Sequence, residues 1–117
     1  MKDDVSLLFV YGSLRTGDNA RARLHGFSRR EDGAFPTIEP DPDGAVDGEL
    51  FIVDDWREMD TYEGRDPMDA ETSYYWLLET PEGPRVYVGN PSVGRWGAEY
   101  TRKSAAEAMR DAELEVL

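Results

Sequence analysis

Cysteine is absent from the 117 residues, which excludes disulfide staples, thiolate metal sites and cysteine nucleophiles together. Histidine occurs once, at His25, too few imidazoles for a zinc site and a poor prospect for activating a serine. Glycine-rich phosphate loops of the Walker or dinucleotide type are missing as well. No apolar run approaches the ~18 residues that a membrane-spanning helix requires. The first residues, MKDDVSLLFVYG, set Asp3 and Asp4 behind the leading lysine and show no small-residue cleavage site, unlike a secretory signal. The expectation is a cytoplasmic protein that meets no membrane.

Basic residues are scarce, 13 against 25 acids, and the imbalance is local. Residues 1–30 hold three acids and six bases. Residues 31–71 hold fifteen acids against Arg57 and Arg65, and residues 72–117 hold seven acids and five bases. A chain with net charge −12 repels nucleic-acid phosphates at long range, so no nucleic-acid partner is expected. The basic first segment remains compatible with a small anion.

What is present is enough for one folded domain over residues 1–117. Hydrophobic residues make up 39% and aromatics 11%, more than a disordered chain carries. The apolar run from Val5 to Tyr11 reads as a buried strand closed by Gly12 and Ser13. A short helical stretch is expected after an N-cap at Asp18, stopping at Gly26. Phe35 to Ile38 reads as extended. Pro40-Asp41-Pro42-Asp43-Gly44 reads as a turn with positive φ at Gly44, and residues 45–53 as a second apolar strand. Asp54-Asp55 offers an N-cap for a helix to about Tyr62 or Glu63, with Gly64 as its stop. Residues 73–79 and 85–89 read as a hairpin around a PEGP turn. The tail predicts a C-terminal helix from about residue 101, opened by a Ser104-x-x-Glu107 capping box.

Two features carry candidate chemistry. On a wheel at 100° per residue with Trp56 at zero, Met59 falls at about 300° and Glu63 at about 340°. The last helical turn therefore aims a carboxylate at the side that packs on the sheet. A buried carboxylate is costly unless paired or protonated, and a raised pKa suits general acid/base work near neutrality. A frayed end with Glu63 in solvent is the bland alternative. The second feature is Phe9-Val10-Tyr11-Gly12-Ser13-Leu14-Arg15. A strand breaking at Gly-Ser leaves successive backbone N–H groups able to hold a carboxylate or oxyanion, although a plain turn reads the same way.

Three motifs in order resemble the γ-glutamylcyclotransferase-like (AIG2-like) family. They are Phe9 to Arg15, then Val46-x-Gly48-Glu49-Leu50-Phe51-x-Val53, then Met59-Asp60-Thr61-Tyr62-Glu63-Gly64. The resemblance covers roughly residues 7–90. It implies an α+β fold, a mixed β-barrel of about six strands with flanking helices. It also implies a small-molecule γ-glutamyl substrate and no cofactor. No metal ligands are assigned, with an all-carboxylate Mg²⁺ or Ca²⁺ site left open by so many acids, and a monomer or homodimer is expected. Glu63 would be the catalytic acid/base, with Tyr11, Gly12, Ser13, Leu14, Arg15 and Tyr74 binding substrate. The reaction would be attack of the substrate's α-amine on its own γ-amide carbonyl, giving 5-oxoproline and a free amine or amino acid. A non-catalytic binding module on the same fold is the alternative. One departure stands out: a Y-x-R pattern is frequent in the smaller members of that family, and here Trp76 occupies the Arg position if Tyr74 matches the Tyr.

Overall fold

A computed structural model describes residues 7–12, 16–31, 36–66, 68–69, 71–94 and 100–117. The architecture is α+β: a six-stranded mixed sheet with few helices. The strands are β1 (Leu7–Val10), β2 (Ala20–Arg30), β3 (Thr37–Ile52), β4 (Tyr75–Glu79), β5 (Arg85–Gly89) and β6 (Glu113–Val116). The helices are α1 (Trp56–Glu63), α2 (Pro91–Gly94) and α3 (Arg102–Asp111). None is long and apolar enough to cross a membrane among the described residues.

Strand order is β4-β5-β1-β3-β2-β6, which puts β1 in the interior of the sheet. It runs antiparallel to β3, with Phe9 opposite Leu50, and parallel to β5, with Phe9 opposite Val86. Alternation along β1 sends Leu8 and Val10 to one face and Phe9 to the other. On the first face Leu8, Val10, Tyr75 and Tyr87 pack with Trp56 and Met59 of α1. On the second, Phe9, Leu24, Phe27 and Val86 pack with Ala105 and Met109 of α3. Helices α1 and α3 each cover one face, as the two-sided apolar pattern of the sheet requires. Gly48 allows β3 to lie against β1: a Cβ there would sit 2.3 Å from the Val10 carbonyl oxygen and 2.8 Å from the Phe9 ring.

Helix α1 forms where its signals place it. The Asp55 carboxylate accepts from the N–H groups of Arg57 and Glu58, and Gly64 at φ 73° and ψ 36° ends the helix. The Gly64 N–H donates to the Thr61 carbonyl and the Arg65 N–H to the Asp60 carbonyl, the two bonds of a Schellman closure. The β4–β5 hairpin also forms, with Tyr75 opposite Gly89 and Glu79 opposite Arg85.

Five expectations are corrected. Residues 20–30 are strand, not helix. Ala22 and Leu24 point inward while Arg21 is exposed, and pairing with β3 and β6 overrides local helix propensity. Gly26, at φ 104°, is a bulge where the ladder shifts between His25 and Phe27 rather than a helix stop. The Pro40–Gly44 segment does not reverse the chain. Pro40 pairs with Phe27 and Ala45 with His25, so residues 41–44 bow out of a continuing β3. The Asp43 N–H donates 3.1 Å to the Asp41 carboxylate within that excursion. Gly44 does not adopt a positive φ; it is needed because a Cβ would meet the Phe27 carbonyl oxygen at 2.6 Å. Finally, the capping box of α3 is Thr101 with Ser104, one turn earlier than expected, and the chain continues past α3 into β6.

Candidate functional site

Where β1 ends beside the last turn of α1, a cavity of about 540 Å³ opens. That volume suits a small organic ligand. Tyr11, Gly12, Glu63 and Tyr74 line it together, brought from three separate stretches of sequence. Ser13, Leu14 and Arg15 lie outside the described residues. The walls are aromatic: Phe9, Tyr62, Tyr75 and Tyr87 also contribute.

Glu63 is half-buried, on the same side of α1 as Trp56, Met59 and Asp60. Burial pushes its carboxyl up from the usual 4.5 to about 7. No hydrogen bond or ion pair to this carboxylate is present among the described residues, so nothing offsets the desolvation. Both protonation states are therefore populated at neutral pH.

The chain is held on both sides of positions 13–15. Before them, the Arg29 guanidinium donates to the Tyr11 carbonyl, and the Tyr11 hydroxyl donates to the Tyr87 carbonyl. After them, the Glu49 carboxylate accepts from the Thr16 N–H at 3.0 Å, the Gly17 N–H at 2.9 Å and the Asn19 amide at 3.2 Å. Glu49 is only 8% exposed, so its charge is met by backbone dipoles and an amide. Among the described residues, a Cβ on Gly12 would meet Pro36 alone, at an ordinary 3.6 Å. Packing against those residues does not demand glycine at position 12, in contrast to Gly48.

Tyr74 closes the outer side of the cavity. Its N–H donates 2.8 Å to the Gly64 carbonyl, and its ring lies so close that a Cβ on Gly64 would be 3.0 Å from it. Asn90, itself buried, donates to the Glu71 and Ser73 carbonyls and so pins the segment leading into Tyr74. Trp76 takes no part: it faces the α3 side of the sheet, edge-on to Tyr100. His25 pairs with Glu115 between β2 and β6 and does not line the cavity.

Sequence reasoning missed Asp60. It is 6% exposed, and the Tyr87 hydroxyl donates 2.6 Å to one carboxylate oxygen and Arg65 donates 2.8 Å to the other. On the helical wheel Asp60 falls at about 40°, close to Trp56, so the pattern held the signal. Among the described residues no three His, Asp or Glu side chains converge as a metal site. No protein-family model, no curated protein and no solved structure matches this chain.

Proposed function

We propose that the protein is a cyclotransferase acting on a γ-glutamyl amide, on the small-barrel fold of the γ-glutamylcyclotransferase-like family. The observation that carries the reading is the half-buried Glu63 carboxyl, with its pKa near 7, in one cavity with Tyr11 and Gly12. An acid/base that must take a proton and return it works best when its pKa lies near the operating pH.

The substrate's α-ammonium gives a proton to Glu63, and the freed amine attacks the γ-carbonyl carbon. A carbon–nitrogen bond forms in a five-membered ring as the bond to the leaving nitrogen breaks. Glu63 then returns the proton to that nitrogen, and the second proton shed by the ring nitrogen follows by the same carboxylate to the departing amine, so 5-oxoproline leaves together with an ammonium and every proton is placed. Because the attack is intramolecular, the chemistry needs positioning more than a nucleophile, which suits a chain without cysteine. The resemblance assigns the main chain of Gly12 to Leu14 to the substrate carboxylate or the developing oxyanion.

The test is incubation with γ-glutamyl amines and γ-glutamyl amino acids, with 5-oxoproline quantified. Activity is expected on at least one of them, and Glu63→Gln should lower the rate by ~10²–10⁴ while remaining folded. Turnover by a folded Glu63→Gln protein at the wild-type rate would remove Glu63 from the mechanism. Ligand binding without any 5-oxoproline would make the domain a binding module.

A further inference from the structure

Four of the residues that line the cavity, Tyr11, Thr61, Tyr75 and Tyr87, share a direction of hydrogen bonding. A phenol or alcohol has one proton to donate and lone pairs to accept with. The Tyr11 proton goes to the Tyr87 carbonyl, the Tyr75 proton to the Pro36 carbonyl at 2.6 Å, and the Thr61 proton to the Arg57 carbonyl at 3.0 Å. The Tyr87 proton goes to the Asp60 carboxylate at 2.6 Å. Four lining residues have thus given their hydroxyl protons to the protein.

Tyr87 is the most firmly set of these. Its acceptor is an anion, and the Arg65 guanidinium, 2.8 Å from the second Asp60 oxygen, holds that anion in place. The Arg65 N–H also donates to the Asp60 carbonyl at 2.8 Å, tying the same pair to the end of α1. A phenol beside a carboxylate cannot turn its proton away without losing a charge-assisted bond. The Tyr87 oxygen therefore offers lone pairs to any other neighbour. Glu63, on the same face of α1 one turn beyond Asp60, adds an anionic acceptor to the same cavity. The rings of Tyr75 and Tyr87 stand edge to face with centroids 6.3 Å apart, and aromatic faces favour a cation over an anion.

We propose that the Tyr87 oxygen, held in its accepting orientation by Asp60, forms with Glu63 a seat for a ligand's primary ammonium group. The group that fits is a pure donor: an ammonium has three protons and no lone pair. Resting on the reading of this cavity as the cyclisation site, the seat holds the α-ammonium of the γ-glutamyl substrate and presents one of its protons to Glu63. Tyr87 touches the ligand, whereas Asp60 is a positioning residue that fixes the polarity of Tyr87.

The experiment compares L-glutamine, the smallest γ-glutamyl amide, with glutaramate, which carries hydrogen in place of the α-ammonium. Affinities of the full chain are read by nuclear magnetic resonance titration directly after mixing, and 5-oxoproline is quantified in the same tubes. The wild type should prefer glutamine by about tenfold or more, the scale of a hydrogen bond to a charged group. Tyr87→Phe should reduce that preference to about threefold or less with glutaramate affinity unchanged, since Phe keeps the ring and loses only the acceptor. Asp60→Asn should lower the preference in the same way with the Tyr87 hydroxyl still present, because the phenol proton is then free to face the ligand. A preference undiminished in Tyr87→Phe, or a wild type that binds both ligands equally, overturns the seat. If 5-oxoproline still forms in either case, the cyclotransferase reading survives alone. A preference that depends on Tyr87, with no 5-oxoproline from any γ-glutamyl amide, keeps the seat and overturns the reaction.

Discussion

Glu63 should cost the protein stability, and the cost should depend on pH in a defined direction. Its carboxyl rises from 4.5 to about 7 on folding, with burial as the cause. A carboxyl with a raised folded-state pKa binds its proton more tightly in the native chain than in the unfolded one. Stability therefore falls as pH rises from about 4.5 to about 7 and levels off above. At about 1.4 kcal/mol per pKa unit the full shift would correspond to about 3 kcal/mol. Glu63 is only half-buried, so solvent screening reduces this to about 1–2 kcal/mol. Glu63→Gln removes the ionisation and keeps the shape, and should therefore be more stable than the wild type at pH 8. For a chain of this length the gain corresponds to a rise in Tm of about 4–8 °C. Below about pH 4.5 the advantage should vanish, because both proteins are then neutral at this position. Thermal unfolding followed by circular dichroism at pH 4 and pH 8 reads both numbers. A Glu63→Gln protein no more stable than the wild type at pH 8, or equally more stable at both pH values, would refute the desolvation argument.

Two further outcomes follow from the geometry. Gly48→Ala should destabilise the fold by about 2 kcal/mol or more, since its Cβ would meet the Val10 carbonyl oxygen at 2.3 Å. Denaturant unfolding checks it, and a change under about 0.5 kcal/mol would show that β1 and β3 can separate at little cost. Glu49→Ala leaves the Thr16 and Gly17 N–H groups without their carboxylate, at a cost of about 1–3 kcal/mol. Hydrogen exchange at those two amides should then accelerate, while exchange at the β4–β5 ladder, which Glu49 does not touch, keeps its order relative to the rest of the sheet.

The sequence alone determined the elements whose signals are local. Helix α1 lies between Asp55 and Gly64 because a side-chain acceptor at one end and a left-handed residue at the other are written in adjacent positions. The β4–β5 hairpin needs only two strand-forming runs and the turn between them. The same locality let the helical wheel place Glu63 with Trp56 and Met59. Asp60 was on that wheel too, but its burial depends on Tyr87 and Arg65, partners that no helical periodicity reveals.

Tertiary structure alone decided the remainder. The stretch ARARLHG alternates apolar and polar residues, yet its composition suits a helix equally well. What makes it β2 is pairing with β3 on one side and with β6, from the far end of the chain, on the other. Such ladder bonds are contributed by distant segments, so strand identity here cannot be read from the window that contains it. The proline-rich run 40–44 shows the same rule: its turn chemistry is present, but continued pairing of Thr37 to Pro40 with β2 converts a reversal into a bulge. The cavity is the extreme case. Tyr11, Glu63, Tyr74 and Tyr87 each sit at the end of an element or inside one, and only the crossover that sets β1 between β3 and β5 brings them to one wall.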